Sequence, residues 1–203
     1  MTTNLELCGL ALSRLGQGKI TDLAGTDDVS ITCNLHYQQA IDWTLREREW
    51  KDAIKRVAQS TPTGTPAYGW SSYYDIETDH LRTLDVRSTS LKDYDENPTR
   101  WTQEGGAVLC DIDDGIKVKY LYRVTVTDIP SHIIDVISLN LASRICIPIT
   151  NSKKLKEDLL VEYKEELKNA AALDGMQGKN RVIRSSRLTK VRMSGTPLAG
   201  QYV

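Results

Sequence analysis

Residues 130–174, PSHIIDVISLNLASRICIPITNSKKLKEDLLVEYKEELKNAAALD, decide the fold. In the first half Ile133, Ile134, Ile137, Leu141 and Ile145 recur at helical spacing, and in the second Leu155, Leu159, Tyr163, Leu167, Ala170 and Ala171 do the same. Each helix therefore has a stripe to bury. Pro130 suits a first helical turn, Pro148 predicts the end of the first helix soon after Ile145, and Asn151 or Ser152 can cap the second. So short a break predicts an antiparallel helical hairpin. An amphipathic helix in water owes most of its stability to packing, so this pair needs partners elsewhere in the chain.

The amino-terminal end supplies them. Asn4 reads as a cap, and Leu5, Cys8, Leu12 and Leu15 line one side of a helix, with Leu7, Leu10 and Ala11 widening the stripe. Gly16 and Gly18 end it. The turn-rich run GQGKITDLAGTDD, residues 16–28, leads to a second helix from Asp27 or Asp28 towards Trp50, with Cys33, Tyr37, Ala40, Ile41, Thr44 and Leu45 on its apolar face. Four amphipathic helices close most simply as a bundle.

Between them, over residues 51–129, the hydrophobic period changes from 3.6 to 2. Trp70, Ser72, Tyr74 and Ile76 alternate with their neighbours. Leu84 and Val86 read as one face, as do Val108, Cys110 and Ile112, and Val118, Tyr120, Tyr122 and Val124 give the clearest strand. Turn residues punctuate the block: Thr61 to Pro66, Asn97-Pro98, and Asp113-Asp114-Gly115, which reads as a hairpin turn between two strands. The expected fold is thus α+β, mostly α: a four-helix bundle (1–50 and 130–175), an inserted antiparallel β domain (51–129) and an extended basic C-terminal tail (176–203).

The 203 residues carry 26 Lys and Arg against 27 Asp and Glu, a near balance that hides an asymmetry. Residues 176–203 hold six basic residues and no acidic one, leaving residues 1–175 with 20 against 27. Four cysteines without a C-x-x-C pair give no disulfide framework or zinc pattern. No stretch reads as the roughly 18–20 apolar residues of a membrane span, and the amino terminus lacks a signal pattern, so synthesis in the cytosol is expected. Phenylalanine is absent beside nine Tyr and four Trp, which fits either chance or extensive half-wet interface.

Motifs for chemistry are sparse. His36, His80 and His132 are far apart, and none belongs to an H-E-x-x-H pattern. Asp111-Ile112-Asp113-Asp114-Gly115 resembles the start of a calcium loop, but Tyr122 stands where the bidentate carboxylate belongs. There is no phosphate-cradling glycine motif, Asp79-His80 lacks a nucleophile, and Glu165 and Glu166 sit on a solvated helix face. No catalytic residue, metal or cofactor is expected. The tail is the unusual feature: Lys179, Arg181, Arg184, Arg187, Lys190 and Arg192 interleave with Val182, Ile183, Leu188, Val191 and Met193, with Tyr202 near the end. Too few apolar groups are present for it to fold alone. It reads as a segment that docks on a protein, with a disordered end or a nucleic-acid-binding module as the alternatives.

Particular stretches go further. LALSRLGQGKITDL near the start, YQQAIDWTLREREW at 37–50, YYDIETDHLRTLDV, KVKYLYRV, and LNLASRICIPITNSKKLKEDLLVEYKEELKNA come in an order that resembles the tail tubular protein A and head-to-tail adaptor family of short-tailed bacteriophages. The resemblance spans about residues 5–172. Two positions depart from it, with no aromatic near Asp52 and no proline near Glu77. It implies a helical bundle with an inserted β domain, assembled as a homo-oligomeric, dodecameric ring beneath the portal protein after DNA packaging. Such a ring extends the DNA channel, carries the tail nozzle or tube, and is not an enzyme. The family's location is the virion neck, after synthesis in the host bacterial cytoplasm and without a membrane. The tail would reach the portal, and an acidic surface turned to the lumen would let genomic DNA pass without sticking.

Overall fold

The computed structural model describes residues 2–91 and 99–178. Among them the chain is mixed α+β, with four helices and two small antiparallel sheets. In order these are α1 (Asn4–Arg14), α2 (Asp28–Glu47), β1 (Ile54–Gln59), β2 (Ser72–Asp75), β3 (His80–Ser88), β4 (Trp101–Glu104), β5 (Ala107–Cys110), β6 (Ile116–Tyr122), α3 (Ser131–Thr150) and α4 (Lys153–Met176).

The helices are arranged around α3. Twelve of its residues are buried, including Ile133, Ile137, Leu141 and Ile145 on the stripe and Val136, Leu139 and Ala142 off it. A helix apolar on every side has to be surrounded, and α1, α2 and α4 each pack against α3. Contrary to expectation, α3 is long and apolar enough to cross a membrane; 67% of that stretch is buried inside the protein.

Pro148 does not end α3 either. The helix runs through it to Thr150, because Ile145 and Cys146 are held in the core and the Thr150 hydroxyl donates to the Cys146 carbonyl at 2.7 Å. The stop is Asn151, at φ +51°, a left-handed conformation asparagine tolerates. Ser152 then caps α4 by accepting from Leu155 N–H, as its position predicts. Asp27 caps α2 in the same way. At α1 the cap is Thr3 rather than Asn4: Thr3 Oγ1 accepts from Glu6 N–H while the Glu6 carboxylate accepts from Thr3 N–H. Leu10, read as part of the buried stripe, is 41% exposed.

The helical core contains a polar thread. Asn140 Nδ2 donates to Thr44 Oγ1 at 3.0 Å, Arg144 Nε donates to Asn140 Oδ1 at 2.8 Å, and Trp50 Nε1 donates to the Thr44 carbonyl at 2.9 Å. The Arg144 guanidinium also lies over the Trp43 ring. The bond from Asn140 ties α3 to α2 at Thr44, and the other two hold Asn140 and Thr44 from either side.

The sheets run β1-β6-β3 and β2-β5-β4. β5 and β6 belong to different sheets, so Asp113-Asp114-Gly115 is a crossing between sheets and not the expected hairpin turn. Gly115 sits there at φ +100°, where a Cβ would meet the Gln59 carbonyl oxygen at 2.7 Å. The tight hairpin is instead Gly105-Gly106 between β4 and β5, both at positive φ, as a two-residue turn needs.

Two clusters fill the interior. The larger runs from the helices to the base of the first sheet through Ala53, Leu81 and Leu121. The smaller, Tyr74, Val86, Val108, Cys110 and Ile116, lies between the sheets. The register of β3 against β6 shifts between Thr83 and Asp85. Leu84 therefore packs on the helical cluster and Val86 on the inter-sheet one, not on one face as their spacing suggests. Tyr122 likewise belongs with the helices, and Val124 lies beyond the strand.

Candidate functional site

The docking residues expected from the sequence, Lys179, Arg181, Val182, Ile183, Arg184, Arg187, Leu188, Lys190, Val191, Arg192, Met193 and Tyr202, lie outside the described residues. Their point of departure is described. Asp174, buried near the end of α4, accepts from Lys51 N–H at 3.0 Å, and Lys51 Nζ donates to the carbonyls of Asp174 at 2.7 Å and Gly175 at 3.0 Å. A cation on the last carbonyls of a helix is favourable, since those groups have no partner within the helix. The end of α4 is thus clipped to the short 3₁₀ turn Lys51–Ala53, which leads directly into β1. Sequence reading missed this clip.

A second group of titratable side chains gathers around Asp79-His80. Lys55 Nζ donates to Asp79 Oδ2 at 2.9 Å, and the Tyr120 hydroxyl donates to Asp79 Oδ1 at 3.2 Å. Lys55 also lies over the rings of Tyr120 and Tyr122. His80 stacks obliquely on Tyr120 with centroids 5.3 Å apart, and its Nε2 meets Thr83 Oγ1 at 2.9 Å. The Thr83 hydroxyl in turn donates to Gln103 of β4, joining the two sheets.

The electrostatics hold each of these groups in its ordinary charge state. The Asp79 hydrogen bond and the Tyr120 hydroxyl push Lys55 up to about 12. Burial opposes the Asp79 charge, but Lys55 and Tyr120 outweigh it and hold the carboxyl below its usual range. Burial and the Arg46 charge lower His80, against a smaller pull from Asp79. Burial raises Tyr120. The result at neutral pH is a bridged ion pair beside a neutral imidazole. The adjoining cavity, between Tyr74, His80, Ile116 and Tyr120, measures about 10 Å³, about the least that holds one water.

The third feature is the outer face of the first sheet, opposite the inter-sheet core. Arg56 of β1, Lys117 and Lys119 of β6, and Asp85 and Arg87 of β3 line an open groove of about 660 Å³ with Ala58. Register places Arg56 opposite Lys119, and Lys117 opposite Arg87. Asp85 bonds Arg87 Nε at 2.7 Å, Glu49 lies 3.6 Å from Lys119, and Lys117 donates to the Leu91 carbonyl. The alternation of Lys117 and Lys119 around Val118 was visible in the sequence; its pairing with Arg56 and Arg87 was not.

All four cysteines are buried free thiols. Among the described residues no three His, Cys, Asp or Glu side chains are grouped to hold a metal ion. No family model matches the chain, and no match was found among curated proteins.

Proposed function

We propose that the chain is a structural virion protein, the head-to-tail adaptor of a short-tailed bacteriophage. In this reading the helices of 1–50 and 130–175 form a four-helix bundle, 51–129 is an inserted β domain, and 176–203 is a basic docking tail. Twelve copies close into a ring beneath the portal protein, extend the DNA channel and present a platform to the tail nozzle or tube. Genomic DNA passes through without sequence-specific binding. The protein works in the neck of the virion, with no catalytic step, metal or cofactor and no membrane.

The order of the resembling stretches carries this reading. They fall in turn on the end of α1 with the loop after it, the end of α2, β2 to β3, β6, and the α3–α4 pair. The Lys51–Asp174 clip adds a mechanical reason for a docking tail at this position, because it fixes the tail's origin to the folded body.

The test is light scattering of the purified protein with and without portal particles, on the full chain and on a variant ending at Gly178, which keeps the clip. The full chain should assemble into a ring on portal, and the shortened one should stay folded and free. Attachment by the shortened chain would remove the tail's role. No attachment by either, with tail-dependent retention on DNA, would favour the nucleic-acid-binding alternative.

A further inference from the structure

We infer that the outward face of α2 binds a second copy of this chain, the two helices lying antiparallel about a two-fold axis. The inference does not rest on the adaptor reading. A ring joins unlike surfaces of identical neighbours, whereas a two-fold contact joins one surface to itself, so within that reading the pair forms before the ring.

The first observation is that α2 is apolar on two sides. Its inner side carries Cys33, Ala40, Ile41 and Leu45 into the main cluster. On the other side Ile31, Leu35 and Trp43 remain 53%, 65% and 59% exposed. A surface helix is ordinarily polar opposite its buried stripe, and a lone exposed apolar residue needs no explanation, but a row of them marks a contact. Ile31, Leu35, Gln39 and Trp43 follow one another at intervals of four, which makes them neighbours along the helix. Trp43 is already positioned, with the Arg144 guanidinium 5.6 Å from its ring centroid. A side chain held before contact loses less freedom on binding, and tryptophan is among the residues that most often anchor an interface.

The second observation selects the occupant. Asp28 stands about one turn before Ile31 and Arg46 about one turn after Trp43, both exposed, so the face begins on an acid and ends on a base. Reversed about its midpoint, the face complements itself. Asp28 meets Arg46, Ile31 meets Trp43 and Leu35 meets Gln39, each pair equally far from position 37 along the sequence. At about 100° per residue the members of each pair lie at equal angles on either side of the line pointing away from Tyr37, and Tyr37 packs against the main cluster. A two-fold axis along that line therefore points straight out of the protein and sets each residue over its opposite in the second copy. The end pairs lie about 27 Å apart at 1.5 Å per residue, and a shallow crossing of about 20° keeps both within reach. Asp42, the other carboxylate on this side, is bonded twice to Arg123. A basic segment such as 176–203 would thus find one open carboxylate on the face and meet Arg46 as well. One helix face is a small interface, so the pair is weak and depends on concentration.

The test is sedimentation of the full chain between about 5 and 500 µM, a range suited to a contact of this size. The parent should pass from monomer to dimer and go no further. Leu35→Glu should abolish the dimer, and Val161→Glu, at a similarly exposed position on α4, should not. Asp28→Arg alone and Arg46→Asp alone should each weaken association by at least about tenfold, since both end contacts then join like charges. Mixed in equal amounts, these two variants should pair with each other about as tightly as the parent does with itself. The chain carrying both reversals should also dimerise, which keeps the test valid where one reversal alone disturbs α2. A parent that stays monomeric, a dimer that survives Leu35→Glu, or a mixture no tighter than its components overturns the inference. Assembly beyond a dimer that Leu35→Glu abolishes does so too, and gives the face to an unlike surface of the next copy. A variant ending at Gly178 that dimerises where the full chain does not would give it to the chain's own carboxy-terminal segment. Loss of portal attachment in Leu35→Glu with self-association unchanged would give it to the portal.

Discussion

The two interior clusters are built on different principles. Among the described residues 29 apolar side chains are buried around α3, so stability there comes from area removed from water, at roughly 1.5–3 kcal/mol for each fully buried large aliphatic residue. Between the sheets five of the described residues are buried in this way. That second region is held by specific ties instead: Tyr74 Oη donates to the Ile112 carbonyl at 2.9 Å, Thr83 reaches Gln103, and Ser71, Ser72 and Ser88 each donate to a carboxylate of the crossing, Asp111, Asp113 and Asp114. A burial-based core tolerates the loss of one bond and suffers from a cavity. A bond-based one does the reverse.

Because Leu81 and Leu121 belong to the larger cluster, the dependence runs one way. Leu141→Ala should cost about 2–5 kcal/mol and lower the denaturation midpoint of helices and sheets together. Separate transitions in far-ultraviolet circular dichroism and amide exchange would show that the regions are independent. Tyr74→Phe should cost about 1 kcal/mol and speed amide exchange in β2, β4 and β5 while leaving α3 protected. Equal loss of protection in α3 would end the proposed asymmetry.

The smallest effect concerns pH. His80 sits at the joint between the regions with its pKa lowered by burial and by Arg46. Between its ordinary value of 6.5 and that lower folded value the unfolded chain binds more protons. The His80 contribution is therefore complete above about pH 6.5 and is lost as pH falls through the folded pKa. Asp79, also lowered, has its own window below 3.8. Denaturation at pH 7 and pH 5 should show a decline that His80→Gln reduces, and an unchanged slope would place the titration elsewhere.

What the sequence made readable divides along the same line. Helical stripes are local, and Asp27, Ser152 and the apolar faces of α2 and α4 were found where their spacing put them. Pro148 misled because proline acts on the backbone locally while the burial of Ile145 and Cys146 acts from outside the helix. The strands were recognisable by alternation, but their partners were not. Asp113-Asp114-Gly115 has hairpin chemistry whether or not the flanking strands pair, and only the tertiary structure puts β6 between β1 and β3. The basic face went unseen for that reason, since its four cations come from three strands far apart in the chain. Leu84 and Val86 were assigned one face because a shifted register leaves no mark on period-2 alternation.

The clip between Lys51 and Asp174 also defines a load path. Tension applied to the chain beyond Gly178 does not peel α4 from its free end, because the last turn is fastened to the segment that joins α2 to β1. The pull is delivered to three hydrogen bonds at once and passes from them into Trp50 and Ala53, both buried in the main core. Resistance is then set by the rate at which that joint opens, as in any forced unfolding, and not by the fraying of a single helix end. A body tethered in this way can bear strain through its carboxy-terminal segment while its strands keep their register.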